Sequence, residues 1–156
     1  MGIKHNMKKR TISKAKELGY RLSFKPHPNV YGQLQDFKLN SYINVIDYQT
    51  SYQNIYANAA LVITDHSSAM FDYAYLKKPV LYYHFDEGHY EKGYFDYETM
   101  GFGEIAKTKD DLVSLVIEYM KDSCKMKDKY IARVDEFFLY KDKNNCQRIY
   151  EQIIKI

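Results

Sequence analysis

The chain has 156 residues, enough for one domain with a buried core, and 46% of them are hydrophobic. Its net charge of +3 is too small to indicate nucleic-acid binding, so no nucleic-acid partner is expected, although the mild positive excess suits an anionic substrate or membrane face. There is no signal peptide, no myristoylation pattern and no apolar run of about 20 residues. We therefore expect a cytoplasmic protein that can work at the inner face of the membrane.

The first part of the chain predicts alternating helices and strands. A helix is expected over 9–18, a strand over 21–25 and a second strand over 42–46. Pro26-His27-Pro28 closes the first strand and stiffens the backbone around the histidine, and 29–41 reads as a loop with room for one helical turn. A short helix over 51–59 should turn Tyr52 and Tyr56 inward.

The middle of the chain reads as strand, polar turn, helix and strand. Residues 61–64 form a continuous apolar run, which is typical of a strand covered on both faces. A helix is expected over 68–76, closed by Lys77-Lys78, and Pro79 precedes a strand over 80–83. The segment 84–106 is rich in Gly, Tyr and Asp and is predicted to be a long loop, which in a compact domain is usually functional.

Three helices are predicted to follow. Thr108 and Asp111 have the spacing of a capping box, and the next helix is expected over 126–139. The last helix, 145–155, has an apolar face on which Cys146 should be a buried free thiol, and Asn145 should cap it. Cys124 and Cys146 match neither a metal motif nor a disulfide framework.

Together these elements predict an α/β fold: a single domain over 1–156 with a Rossmann-like three-layer parallel sheet and a helical C-terminal tail. Ligands of such folds bind beyond the carboxyl ends of the strands. His27, Asp47, the Ser67-Ser68 pair and His84 all follow predicted strands, so they should lie along one edge of the sheet.

The turn at residues 64–68, Thr64-Asp65-His66-Ser67-Ser68, is the strongest candidate for a phosphate site. It lies where a strand ends and a helix begins, and a helix N-terminus offers unpaired N–H groups to an anion. The adjacent hydroxyls of Ser67 and Ser68 add donors, while helix capping by either serine is the simpler alternative. The Asp65 carboxylate would need a metal or a proton to meet a phosphate, so capping is favoured for it.

The same region resembles the CDP-glycerol glycerophosphotransferases, a bacterial family that builds teichoic acid and related capsular polymers. The resemblance spans about residues 20–155 and rests on the order of several short motifs. They are Lys25-Pro26-His27-Pro28, Thr64-Asp65-x-Ser67-Ser68, Met70-Phe71-Asp72, Lys78-Pro79-Val80, Gly93-Tyr94-Phe95-Asp96-Tyr97-Glu98, Gly101-Phe102-Gly103 and Asn145-Cys146-x-Arg148-x-Tyr150-Glu151.

This resemblance implies a donor and a mechanism. A hydroxyl of a growing polymer would attack the phosphorus nearest glycerol in CDP-glycerol, or nearest ribitol in CDP-ribitol, and CMP would leave. Thr64, Asp65, Ser67 and Ser68 would form the diphosphate site, and His27 would be the catalytic residue that stabilises the leaving CMP. No cofactor or metal is expected.

It also implies that part of the enzyme lies elsewhere. The family resembles two-domain GT-B transferases, and its first histidine belongs to a Trp-His-Gly-Thr-Pro type motif that this chain lacks; the chain has no Trp at all. The chain thus reads as the C-terminal, donor-binding half without its N-terminal domain, with little turnover alone. Two alternatives remain open: half of a nucleotide-sugar glycosyltransferase of sialyl or polysialyl type, and a non-catalytic nucleotide-binding remnant.

Further residues are secondary candidates. His84, His89 and Arg148 could contact the ligand, although the histidine spacing fits no standard metal site. Tyr94, Phe95 and Tyr97 could stack on a cytosine ring, but packing against the body of the domain is favoured. His66 departs from the residue the family often has there, and a surface role is expected.

Overall fold

The computed structural model describes residues 3–37, 39–86 and 93–155. The helices are α1 (Ile3–Glu17), α2 (Tyr52–Asn58), α3 (Ala69–Tyr75), α4 (Lys109–Lys121), α5 (Asp128–Phe137) and α6 (Asn145–Ile153). The strands are β1 (Leu22–Phe24), β2 (Ile43–Val45), β3 (Val62–Thr64), β4 (Val80–Tyr83) and β5 (Gly103–Ala106). A 3-10 segment kinked at Gln33, Pro28–Asp36, fills much of the loop predicted after β1.

All strand pairs in these ranges are parallel, as the sequence predicts. They form two sheets, one of order β1-β2 and one of order β3-β4-β5. The predicted single edge is therefore divided between two sheets. Strand β5 was not predicted, because it lies within the 84–106 segment that reads as a loop.

The three-layer arrangement is clearest around β4, the central strand of its sheet. Val80 and Tyr82 point into a core built with α2, α3 and α5, whereas Leu81 points into a second core built with α1 and α4. All three side chains are fully buried. This is the two-sided burial expected for a strand between two helical layers.

The prediction of two-sided burial was wrong for β3. Ile63 is 47% exposed, whereas its register partner Leu81 is fully buried in the core with α1 and α4, so this helical layer covers β4 but not β3, the edge strand. In α2, Tyr56 is buried as expected but Tyr52 is exposed. A continuous apolar run thus identified the strand correctly but not its position in the sheet.

The two lysines after α3 were predicted to stabilise its C-terminal end by their charge, but they make other contacts. Lys77 has a positive φ of 55° and pairs with Asp135 at 2.8 Å. Lys78 donates from Nζ to the carbonyls of Tyr56, Ala57 and Ala59, at 2.8 to 2.9 Å. Lys78 therefore closes the end of α2 rather than that of α3.

The C-terminal helices are partly as predicted. The capping box of α4 is confirmed, since the Asp111 N–H donates to Thr108 Oγ1 at 3.1 Å and Thr108 Oγ1 donates to Asp111 Oδ2 at 2.6 Å. In α6 no residue is buried and Cys146 is exposed, so the predicted buried thiol was wrong. Asn144, not Asn145, holds the N-cap position, and Asn145 accepts a hydrogen bond from Arg148 instead.

Across the described ranges, none of the helices combines the length and the apolar character required to cross a bilayer.

Candidate functional site

The 64–68 turn joins β3 to α3. Thr64 ends β3, where it pairs with Tyr82 of β4. Ser67 is half-buried, and its Oγ accepts a hydrogen bond from the Ala69 N–H at 3.3 Å. Ser68 is exposed at the N-cap position of α3 and makes no side-chain capping bond. Asp65, for which capping is predicted, does not hold the N-cap position; Ser67 satisfies the first N–H of α3 from the position before the N-cap, and Ser68 is exposed.

Helix α3 itself contributes less to anion binding than its prediction suggested. It has seven residues, and two turns align few peptide dipoles. Any anion held at this turn would therefore depend on side-chain hydroxyls more than on the helix end. Ser68 is the more available of the two serines because it is exposed, whereas Ser67 is half-buried; the Ser67 O–H can still donate, because its oxygen only accepts from the backbone.

His27 is exposed at the start of the 3-10 segment, beside the buried Pro26. Its Nδ1 accepts a hydrogen bond from the Asn29 N–H at 3.2 Å. An accepting ring nitrogen carries no proton, so neutral His27 has its proton on Nε2. The ring is thereby prepared to donate a hydrogen bond from Nε2 to an oxygen anion.

The other residues predicted at the sheet edge fall into two groups. On the first sheet, Lys25 Nζ donates to the carbonyls of Asp47 and Tyr48 at 2.7 and 2.9 Å, which fixes the ends of β1 and β2 together. On the second sheet, His84 Nε2 lies 3.4 Å from the carbonyl oxygen of Asp65. The residues predicted along one edge of a single sheet therefore belong to two sheets.

The clearest feature that the sequence reading missed is a stacked pair of imidazoles. The rings of His66 and His84 lie 4.0 Å apart between centroids and 22° from parallel. Burial lowers the pKa of His84, and the neighbouring His66 ring lowers it further. The expected surface role of His66 was wrong, because its ring packs against other aromatic rings and both its ring nitrogens are shielded from solvent.

The strand register, which hydrophobic patterns do not encode, explains this pair. Strands β3 and β4 pair Val62 with Val80 and Thr64 with Tyr82. Continuing this register two residues further places His66 beside His84. Adjacent strands lie about 4.8 Å apart, a spacing at which two rings can stack.

Of the three aromatic residues Tyr94, Phe95 and Tyr97, two pack against the body of the domain, which confirms packing over stacking on a base for those two. Phe95 contacts the rings of Phe71 and Phe102, and Tyr97 is buried beside Tyr82. Tyr94, in contrast, is 91% exposed.

Two ligand candidates remain, Arg148 and His89. Arg148 pairs with Asp142 and Asn145, and its guanidinium lies 4.0 Å from the centroid of the Tyr140 ring. His89 lies outside the described residues.

An open groove of about 550 Å³ beside β5 is lined by residues that include Tyr97, Glu104 and Lys107. Tyr97 is the one candidate for base stacking that lines it, whereas Thr64, Asp65, Ser67 and Ser68 do not, so the groove is not the predicted phosphate site.

A family profile and several known proteins are similar to this chain. The profile of the family described as CDP-Glycerol:Poly(glycerophosphate) glycerophosphotransferase matches residues 2–155. The minor teichoic acid biosynthesis protein GgaB of Bacillus subtilis (strain 168) is 45% identical over 148 residues, which are 94% of this chain and 16% of GgaB. A teichoic acid poly(ribitol-phosphate) polymerase of Bacillus spizizenii is 33% identical over 102 residues, which are 60% of this chain and 15% of the polymerase.

A solved structure shares the fold. The wall teichoic acid polymerase TagF superposes with a TM-score of 0.63 at 26% identity, over 93% of this chain and 38% of that one. This match and the parallel sheets confirm the predicted α/β fold. The chain spans well under half the length of each of these three proteins.

Proposed function

Because this chain belongs to the CDP-glycerol:poly(glycerophosphate) glycerophosphotransferase family, we propose that it is the donor-binding part of an enzyme that transfers polyol phosphate from CDP-glycerol or CDP-ribitol to a teichoic-acid-type polymer. The family match over residues 2–155 carries the proposal. The 64–68 turn, which lies at the strand–helix junction of that match, supplies the site.

The proposed reaction is a displacement at phosphorus. A hydroxyl at the end of the acceptor polymer attacks the phosphorus nearest the polyol, the bridging P–O bond breaks, and CMP leaves with the bonding electrons. The hydroxyl proton is lost to a base or to solvent. Negative charge spreads over the phosphoryl oxygens, so the protein acts by positioning the diphosphate and stabilising that charge.

The described residues suit these tasks differently. Ser68 has a solvent-facing hydroxyl that can donate to a phosphate oxygen, and Ser67 shapes the turn through its bond to the Ala69 N–H. His27 would donate from Nε2 to the leaving phosphate of CMP, in keeping with its Nδ1 acceptor bond. An acceptor-activating histidine of the Trp-His-Gly-Thr-Pro type is not part of this sequence. We therefore expect donor binding without appreciable turnover by this chain alone.

The test is calorimetric titration of the 156-residue chain with CMP, CDP-glycerol, CDP-ribitol, UDP-sugars and CMP-sialic acid. We expect cytidine-selective binding that weakens at least ~10-fold in His27→Asn and in a Ser67→Ala/Ser68→Ala double variant, because each loses hydrogen bonds to a charged group. The comparison of CDP-glycerol with CDP-ribitol identifies the polyol.

Ser114→Ala is the matched control, since Ser114 is exposed on α4, far along the chain from the turn. It should bind as the parent chain does. Selective binding of a UDP-sugar or of CMP-sialic acid would contradict the proposal in favour of a glycosyltransferase half. Absence of binding to every nucleotide, in a chain with intact circular dichroism, would contradict a donor site complete within these residues.

A further inference from the structure

The stacked imidazoles of His66 and His84 connect two neighbouring strands at the point where both have ended. His66 lies inside the 64–68 turn, between Asp65 and Ser67, and His84 directly follows β4. The His84 Nε2–H faces the Asp65 carbonyl oxygen at 3.4 Å, so His84 meets the turn through a ring contact and a polar contact.

The pair is supported by a second layer of rings. Tyr97 stands edge-on to both imidazoles, 5.6 Å from His66 and 4.8 Å from His84 between centroids. Tyr82 lies 5.8 Å from His84 on the strand side. Tyr82 and Tyr97 are buried, so they cannot easily move away from the imidazoles. Displacing either imidazole would therefore also displace the 64–68 turn.

The charge state of the pair is also constrained. Burial lowers the pKa of His84, with His66 and Lys107 acting in the same direction and the Asp65 carbonyl and carboxylate acting against them. Among the described residues, the titratable rings of Tyr82 and Tyr97 also face His84. Two neutral rings, or one neutral and one charged ring, can remain stacked, whereas two imidazolium rings at this distance repel each other.

We propose that His66 and His84 are positioning residues: their stack holds the 64–68 turn in the shape that binds the donor diphosphate, and charging both rings releases it. The inference rests on the proposed function for the identity of the ligand. The geometry on which it depends is the ring stack and the contact of His84 with the Asp65 carbonyl oxygen.

The first experiment follows the unliganded chain by NMR from about pH 7.5 to pH 5, a range that spans ordinary histidine titration. We expect the amide resonances of Ser67 and Ser68 to move with the ring titration of His84. In His66→Phe, which keeps a ring in the stack but cannot acquire charge, this movement should fall to less than about half. Equal movement in both chains, or none in the parent, would overturn the proposal.

The second experiment measures CDP-glycerol and CDP-ribitol binding at pH 7.5 by calorimetry. His66→Ala should weaken binding ~10-fold, because a displaced turn misplaces the hydroxyls, and His66→Phe should restore it to within about threefold. Parent-like affinity in His66→Ala would contradict positioning, as would failure of His66→Phe to rescue in a chain with unchanged melting temperature. If the parent binds neither donor, the proposed function falls, and the Ser67 and Ser68 resonances still decide whether the pair holds the turn.

Discussion

At the scale of single residues, the Tyr82 hydroxyl joins three elements. It donates to Met70 Sδ of α3 at 3.1 Å and accepts from the Phe102 N–H, just before β5, at 3.2 Å. Tyr82 has no exposed surface, so water cannot replace either bond. The hydroxyl thus fixes the position of β4 relative to the segment that begins β5.

Tyr82→Phe should lower the free energy of unfolding by about 1–3 kcal/mol, because it leaves the buried Phe102 N–H without its acceptor. Urea denaturation followed by circular dichroism measures this change. Tyr94→Phe removes a hydroxyl at a 91% exposed position and should change stability by less than about 0.5 kcal/mol. Equal stabilities of the two variants would show that the Tyr82 hydroxyl contributes nothing.

A residue's contacts could be predicted from the sequence only where its partner lies nearby in the chain. The capping box of Thr108 and Asp111 was predictable because its partners lie three residues apart and need only a helix start. The His66–His84 stack was missed because its partners lie on different strands, and only the strand register brings them together. The roles of His27, Ser67 and Ser68 in donor binding remain predictions.

At the scale of elements, β5 depends on close backbone approach to β4. A Cβ added to Gly103 would lie 1.8 Å from the carbonyl oxygen of Val80, its partner in the sheet register. Because the obstructing atom belongs to a central strand, it cannot move aside as a flexible side chain would. This explains a glycine in the Gly101-Phe102-Gly103 motif by packing alone.

Gly103→Ala should therefore destabilise the fold by about 1–3 kcal/mol through strain at the β4–β5 pair. The measurement is the midpoint and slope of urea unfolding. Gly32→Ala is the matched control, since no atom lies within 4 Å of the added Cβ there, and it should be close to neutral. A neutral Gly103→Ala would mean that β5 can shift away from β4 at no cost.

Within the described ranges, four of the five strands and all six α-helices were predicted from the sequence, because their periodicity and end signals are local. The sequence-based prediction failed for β5, Gly103–Ala106, because these residues combine a glycine and a glutamate with two apolar residues and show no alternation. It also assigned two-sided burial to β3, when β4 is the central strand. Order within a sheet is set by contacts between distant segments, and hydrophobic runs do not encode it.

At the scale of the whole molecule, α6 stands apart from the two cores. Its apolar face, formed by Ile149, Tyr150 and Ile153, is exposed, with Ile149 and Ile153 each 61% accessible. The predicted amphipathic pattern is present, but within the described residues nothing in α6 is buried. Its apolar surface is therefore available to hydrophobic dyes and to other molecules.

An Ile149→Glu/Ile153→Glu variant should bind less of the dye ANS and self-associate less at high concentration than the parent chain. The free energy of unfolding should change by less than about 0.5 kcal/mol, since no buried contact is lost. Fluorescence titration and sedimentation velocity test both points, with Gln152→Glu as the control for added charge. A large loss of stability in the double variant would show that α6 is packed in solution.

The tyrosine-rich core allows unfolding of the chain to be followed by its ultraviolet absorption. The chain contains 17 Tyr and no Trp, so its near-ultraviolet absorption reports mainly on phenol rings. Burial raises the pKa of Tyr56 to about 12 and raises those of Tyr73, Tyr82 and Tyr119 as well. A raised pKa in the folded state means that these rings stabilise the fold fully below the ordinary tyrosine pKa of about 10, and that this stability is lost as the pH rises beyond it.

An alkaline titration read at the phenolate absorption band should therefore show two stages. The first stage should fall near pH 10, where tyrosine ordinarily ionises, and the buried set should ionise only at higher pH, together with loss of the circular dichroism signal. In urea the second stage should merge into the first. A single transition in the absence of urea would mean that the interior phenols already meet water in the native protein.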